Sequence, residues 1–251
     1  MSLGRLAMFI TGLILLACVA ALAVLPARWF IAVVPDHWPL AVVDASGTIW
    51  SGSATVALGA REHQRTVPAA LRWETSWARG PKLTLRHPWL GGPLALTPAW
   101  LGLGISGQTL QLPAAALATL DARMMAVGPG GTLSLKWPAS IIGPTPRPAG
   151  TTLLEARWRD AASALTPIRP LGDYALVLKQ LASGSVDVTL STLEGTLVLK
   201  GQGTLNRTQG FQFDGTAQAD PSASAHDQTA LRDVLAALGP QRNNQTLLRF
   251  R

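Results

Sequence analysis

A chain of 251 residues with 48% hydrophobic and 14% charged side chains is apolar for its length, and the Lys and Arg behind its net charge of +7 are scattered singly. A nucleic-acid footprint needs clustered cations, so that partner is excluded; dispersed positive charge suits mild attraction to anionic lipid headgroups. The one cysteine, Cys18, lies in an apolar run, so no disulfide framework is available and the remaining residues must be held by a hydrophobic core.

That run, Leu6 to Ala27, has no charge between Arg5 and Arg28. As a helix it reaches roughly 33 Å, enough to cross a hydrocarbon core of about 30 Å. Arg5 and the amino terminus precede it, which places residues 1–5 in the cytoplasm and 28–251 across the membrane. Ala21-Leu22-Ala23 has the small-x-small form of a cleavage site, and Leu15-Leu16-Ala17-Cys18 has some likeness to a lipoprotein box. The length of the run and its apolar continuation to Leu25 favour an uncleaved anchor over residues 6–27.

Beyond the run, period-two alternation dominates. Lys82–Arg86, Thr132–Trp137, Leu154–Arg159, Ser185–Leu190 and Phe211–Asp220 each set apolar residues against polar ones, as antiparallel strands with one solvated face do. Gly and Pro punctuate at short intervals, which suits hairpins and meanders. Two segments carry helical spacing. One opens at Pro113, with Leu117, Leu120, Met124 and Val127 as its stripe. The other follows Asp227 as N-cap, with Leu231, Val234, Leu235 and Leu238 on one face and Gly239-Pro240 as the stop.

A faint duplication runs through this pattern. Gly47-Thr48-Ile49-Trp50-Ser51-Gly52 echoes Gly195-Thr196-Leu197-Val198-Leu199-Lys200-Gly201, and the two helical segments are each followed by Gly-Pro and then Thr-Leu. The expected fold is mainly β: a transmembrane helix, then an antiparallel β-rich domain forming a curved sheet of two similar halves. The halves are 40–137 and 151–251, each with one short helix, and the Pro-rich stretch 138–150 joins them.

Catalytic patterns are missing. His37, His63, His87 and His226 lack metal-ligand spacing, and there is no Gly-x-Ser-x-Gly elbow, Walker loop or His-Glu-x-x-His. The expectation is no enzyme, no metal and no cofactor. Trp50, Trp73, Trp77, Trp89, Trp100, Trp137 and Trp158 read mainly as strand-face packing, with the lining of an apolar groove for lipid or peptide as the alternative.

Several pieces recur in one order: Gly47-Thr48-x-Trp50-x-Gly52, then Pro170-Leu171-Gly172-x-Tyr174, then Gly195 with Gly201 and Gly203, then Gly215, then the last helix. With the leading apolar run, this order resembles the type II secretion system protein N family of Gram-negative bacteria. The resemblance implies an inner-membrane accessory of the machine that exports folded proteins from the periplasm through an outer-membrane secretin. It implies an assembly role through contacts with inner-membrane subunits and the secretin, and no catalytic residues. The matched glycines read as turns, bulges or close strand approaches, with Trp50 and Tyr174 as anchors in the sheet. The overall pattern also resembles periplasmic half-pipe proteins of phospholipid transport, which makes a lipid-binding trough the rival expectation.

Overall fold

The structure, a computed structural model, describes residues 40–59, 64–78, 80–120, 122–145, 147–206, 208–242 and 245–250, with 13, 16, 21 and 24–28 before them. Most of the apolar run 6–27 lies outside the described residues. Among the described residues no helix is long and apolar enough to cross a membrane.

The chain is mainly β and antiparallel throughout its ladders. Strands β1 (Leu40–Gly47), β2 (Ser51–Leu58), β3 (Arg65–Thr66), β4 (Leu71–Ser76), β5 (Lys82–Arg86), β6 (Leu94–Ala99) and β7 (Gly102–Ile105) follow one another in sequence. Next come β8 (Gln108–Pro113), β9 (Gly130–Trp137), β10 (Ser140–Ile142), β11 (Thr152–Ala162) and β12 (Gly172–Gln180). The last are β13 (Val186–Gly195), β14 (Leu197–Asn206), β15 (Gly210–Ala219), β16 (Gln241–Arg242) and β17 (Gln245–Phe250). All five alternating segments read from the sequence are strands, because an apolar/polar period of two is satisfied only when one face meets a core.

These strands form two sheets. The first is eight-stranded, in the order β1-β2-β4-β5-β6-β7-β10, with β3 paired to β2; the second is nine-stranded, in the order β16-β17-β15-β14-β13-β12-β11-β9-β8. In chain order the sheets change over between β7 and β8, and β10 returns to the first sheet beside β7. The loop after β5 ties them together: Leu90 bridges Leu110, Gly91 N–H donates to the Thr109 carbonyl at 2.8 Å, and Gln111 N–H donates to the Trp89 carbonyl at 2.7 Å. This loop covers the β8 edge, which would otherwise offer unpaired backbone groups.

Both helical segments serve the second sheet. Pro113, expected as the first helical residue, is extended instead (φ −64°, ψ 134°) and closes the β8 ladder opposite Thr132. The pairing fixes ψ even though the ring's φ suits either state. The segment then splits into a 3-10 helix, Ala114–Thr119, and the helix α1, Ala122–Val127. The C-terminal end of α1 docks on the loop beyond β11, where Ser163 Oγ donates to the Val127 carbonyl at 2.6 Å.

The second helical segment divides into α2 (Ala225–Ala230) and α3 (Arg232–Leu238). Its N-cap is Ser224, not Asp227: the Ser224 Oγ accepts from Asp227 N–H at 3.1 Å and donates to the Asp227 carboxylate at 2.8 Å. Asp227 is thus the third helical residue, where a carboxylate complements the helix N-terminus. The expected stripe is correct. Leu231, Val234 and Leu235 are buried against Leu171, Leu197, Phe213, Ala217 and Leu248 of the second sheet. Each fully buried Leu or Val contributes about 1.5–3 kcal/mol. The first sheet has a smaller core of Ala27, Ala54 and Trp73, with Val42, Ala45, Leu83 and Leu85 packed on it.

Candidate interaction surfaces

The motif residues read from the sequence fall into three glycine–aromatic constellations. In the first, Gly47 and Gly52 are cross-strand partners at the end of the β1–β2 hairpin. Thr48 closes the turn: its N–H donates to the Ser51 carbonyl at 2.9 Å, and its Oγ1 accepts from the Trp50 and Ser51 amides at 3.3 and 3.2 Å. The Trp73 indole covers Gly52, where a Cβ would lie 2.6 Å from the ring, and its Nε1 donates to the Thr48 carbonyl at 3.1 Å. Trp50 sits in the turn, half-buried, with its ring 5.9 Å from that of Trp77.

The second constellation joins Gly172 and Gly195, partners across β12 and β13 with φ of 154° and 128°. Their Cα atoms approach so closely that neither position has room for a side chain. Pro170, which follows a cis peptide bond, leads into Leu171, whose carbonyl accepts from Leu197 N–H at 3.1 Å and Thr196 Oγ1 at 3.3 Å. Tyr174 is 4% exposed; its hydroxyl donates to the Leu197 carbonyl at 2.9 Å, and its ring lies 5.9 Å from that of Trp158. Trp158 Nε1 donates to the Gly130 carbonyl at 2.8 Å, so these contacts staple β9 to β14. Burial, and secondarily the Asp173 charge, push the Tyr174 phenol well above its ordinary value.

In the third, Gly201, Gly203 and Gly215 form a floor under the Phe213 ring. Gly201 pairs with Gly215 and Gly203 with Phe213, and a Cβ on Gly203 or Gly215 would lie 2.9 Å from that ring. Phe211 stacks on Phe213 at 6.0 Å and Phe250 tilts against it at 6.1 Å. The glycines were legible in the sequence; Trp73, Trp158 and Phe213, the aromatics that require them, were not singled out as partners. The available signal was an aromatic at a cross-strand position facing a strand-interior glycine.

Among the described residues no group of three His, Cys, Asp or Glu side chains is placed to hold a metal ion. His37 and His63 lie outside the described residues, and His226 is exposed on α2. His87 accepts from the Trp89 amide through Nδ1 at 3.1 Å, and its ring meets the Trp89 ring edge-on at 5.2 Å.

Two apolar surfaces remain. On the second sheet Leu110, Leu135, Ala156, Leu176 and Leu190 are successive cross-strand neighbours on one face. Apart from Ala156 they are half-buried; Leu190 packs against the core under α3, and Leu110 bridges Leu90 of the loop after β5. On the first sheet Trp100 is 98% exposed at the β6–β7 turn, beside exposed Leu101, Leu103, Ile141 and Ile142.

Comparison with protein families decides the identity. The model of the family described as type II secretion system (T2SS), protein N, matches residues 39–251. The chain belongs to the type II secretion system protein N family. No curated protein and no solved structure matches it. Membership makes it a component of type II secretion that works with other subunits of that system in the bacterial envelope; protein N is an accessory component, not a known enzyme family. The match spans both sheets and all three glycine constellations.

Proposed function

We propose that this protein N is a single-pass inner-membrane assembly component, with residues 1–5 cytoplasmic, 6–27 as the anchor and 28–251 in the periplasm. It acts through protein–protein contacts with inner-membrane subunits and the secretin. The twelve motif residues are structural: they set how closely strands approach and so the shape of the surface presented. The observation that supports this reading is the family match, which runs over residues 39–251 and so covers the whole β domain.

The geometry offers a contact mode. Among the described residues β1 has a ladder partner on one side, β2, while residues 25–27 close its far end. An eight-residue edge presents backbone donors and acceptors that a partner strand can pair with. A bulge at Val43, which is 55% exposed, restricts that pairing to strands of matching register.

The half-buried leucine face of the second sheet supports a second reading, a trough for phospholipid. Crosslinking of the membrane-embedded chain, followed by mass spectrometry of proteins and lipids, separates the two. Recovery of secretion subunits without stoichiometric lipid is the expected result. Stoichiometric phospholipid with no secretion subunit overturns the assembly role in favour of the trough.

A further inference from the structure

One end of the first sheet collects tryptophans and exposed aliphatic side chains. Register places three turns at that end. Ser51 pairs with Glu74, Ser76 with Lys82, and Ala99 with Gly102, so the chain reversals after Gly47, Ser76 and Ala99 all project the same way along the strands. The turns carry Trp50, Trp77, Trp100 and Leu101; Leu103 and Ile142, Cα partners, adjoin the last. Trp77 is 61% exposed, Leu101 61% and Ile142 55%, beside the almost wholly exposed Trp100. An indole held in water on a tight turn gains nothing from the protein's own core.

The same end receives the last residues of the apolar run. Pro26 bridges Thr48, Ala27 N–H donates to the Gly47 carbonyl at 3.0 Å, and Ile49 N–H donates to the Leu25 carbonyl at 3.0 Å. Ala27 is buried beside Ala54 and Trp73. No spacer separates the end of the run from the sheet. Charge points the same way. Lys82 begins β5 at this end, and Arg147 lines the same groove as Trp100 and Leu101.

We propose that this end of the first sheet seats on the headgroup layer of an anionic bilayer, with Trp100-Leu101 as its inserted tip; this rests on the reading of 6–27 as an anchor. Indoles favour the interface because the ring is apolar and its N–H is polar, and basic side chains beside it meet phosphates. The seat fixes the orientation of the β domain on its anchor, so that the far end, with β3 and the loop after β5, faces away from the membrane.

The test uses the full chain with Cys18→Ser and a single new cysteine at Trp100→Cys, labelled with an environment-sensitive fluorophore. Thr66→Cys, exposed on β3 at the opposite end, is the reference. Each is reconstituted into phosphatidylethanolamine–phosphatidylglycerol vesicles containing nitroxide lipid. The expected result is co-flotation, with blue-shifted and quenched emission at position 100 and unchanged emission at position 66. Co-flotation without quenching at position 100 overturns the seat and leaves the anchor standing. Failure to co-float overturns both. Position 100 is fully exposed at a turn, so its replacement leaves the fold intact, which near-ultraviolet dichroism of the labelled chain verifies.

Discussion

The hydroxyl of Tyr174 donates a 2.9 Å hydrogen bond to the carbonyl of Leu197, 23 positions later, and both residues are buried. This bond locks β12 to the start of β14 at the point where Gly172 and Gly195 meet. Tyr174→Phe removes the donor and leaves a buried carbonyl with one partner fewer, at a cost of about 1–3 kcal/mol. Chemical denaturation of the two chains, with unchanged slope and a lowered midpoint for the variant, is the expected result.

Tyr174 is the only tyrosine, so its ionisation can be followed directly. Burial raises its folded-state value above the unfolded value of about 10. The folded state then holds its proton where the unfolded state releases it, so the stabilisation is complete below pH ~10 and falls as pH rises beyond it. Phenolate absorbance is expected to stay absent in the folded chain at pH values where a free phenol ionises. The steepness of the alkaline stability loss is expected to drop in Tyr174→Phe. Equal alkaline profiles for both chains would refute a buried phenol.

Gly195 and Gly150 form an internal control. Both have positive φ, 128° and 83°, but a Cβ at 195 would collide with the backbone of Leu171 and Gly172, whereas at 150 it meets open space. Gly150→Ala carries only backbone strain, about 1–2 kcal/mol. Gly195→Ala adds a backbone clash that no side-chain rotation relieves, and its expected cost is on the order of 4 kcal/mol or more. Thermal denaturation that ranks the two equally would show that the glycine contact is not a tight approach.

Ser224→Ala tests the cap of α2. Loss of the Oγ acceptor leaves the Asp227 amide without its partner, at about 1 kcal/mol. Leu231→Ala, fully buried below α3, is expected to cost about 2–5 kcal/mol because it opens a cavity between the helix and the second sheet. A Leu231→Ala change no larger than that of Ser224→Ala, measured by urea denaturation, would mean that α3 does not pack as a core element.

Much of the local structure was legible because it depends on neighbours in sequence. The alternation of Leu83 and Leu85 against Lys82, Thr84 and Arg86 is enough to specify β5, whose bounds match the segment read from the sequence. The stripe of Leu231, Val234 and Leu235 was equally clear, since its spacing puts all three on one helical face. Boundaries were less secure where a residue suits two roles. Pro113 fits a first helical turn and a strand end alike, and only its pairing with Thr132 selects the strand. Ser224 and Asp227 are both good caps, and the choice between them depends on which oxygen reaches the Asp227 amide.

The sequence by itself determined that this protein is antiparallel and mainly β, and its ordered glycine motifs pointed to the protein N family. Both follow from short-range information: side-chain period, turn residues and their order. Tertiary structure alone decided which strands share a sheet, placing β8 and β9 with the later strands and returning β10 beside β7. It also supplied the aromatic partners of the glycines and brought the turns bearing Trp50, Trp77 and Trp100 to the end of the sheet where residues 25–27 dock. Those relations join positions tens of residues apart through hydrogen-bond register, and register is a property of paired strands that no single segment encodes.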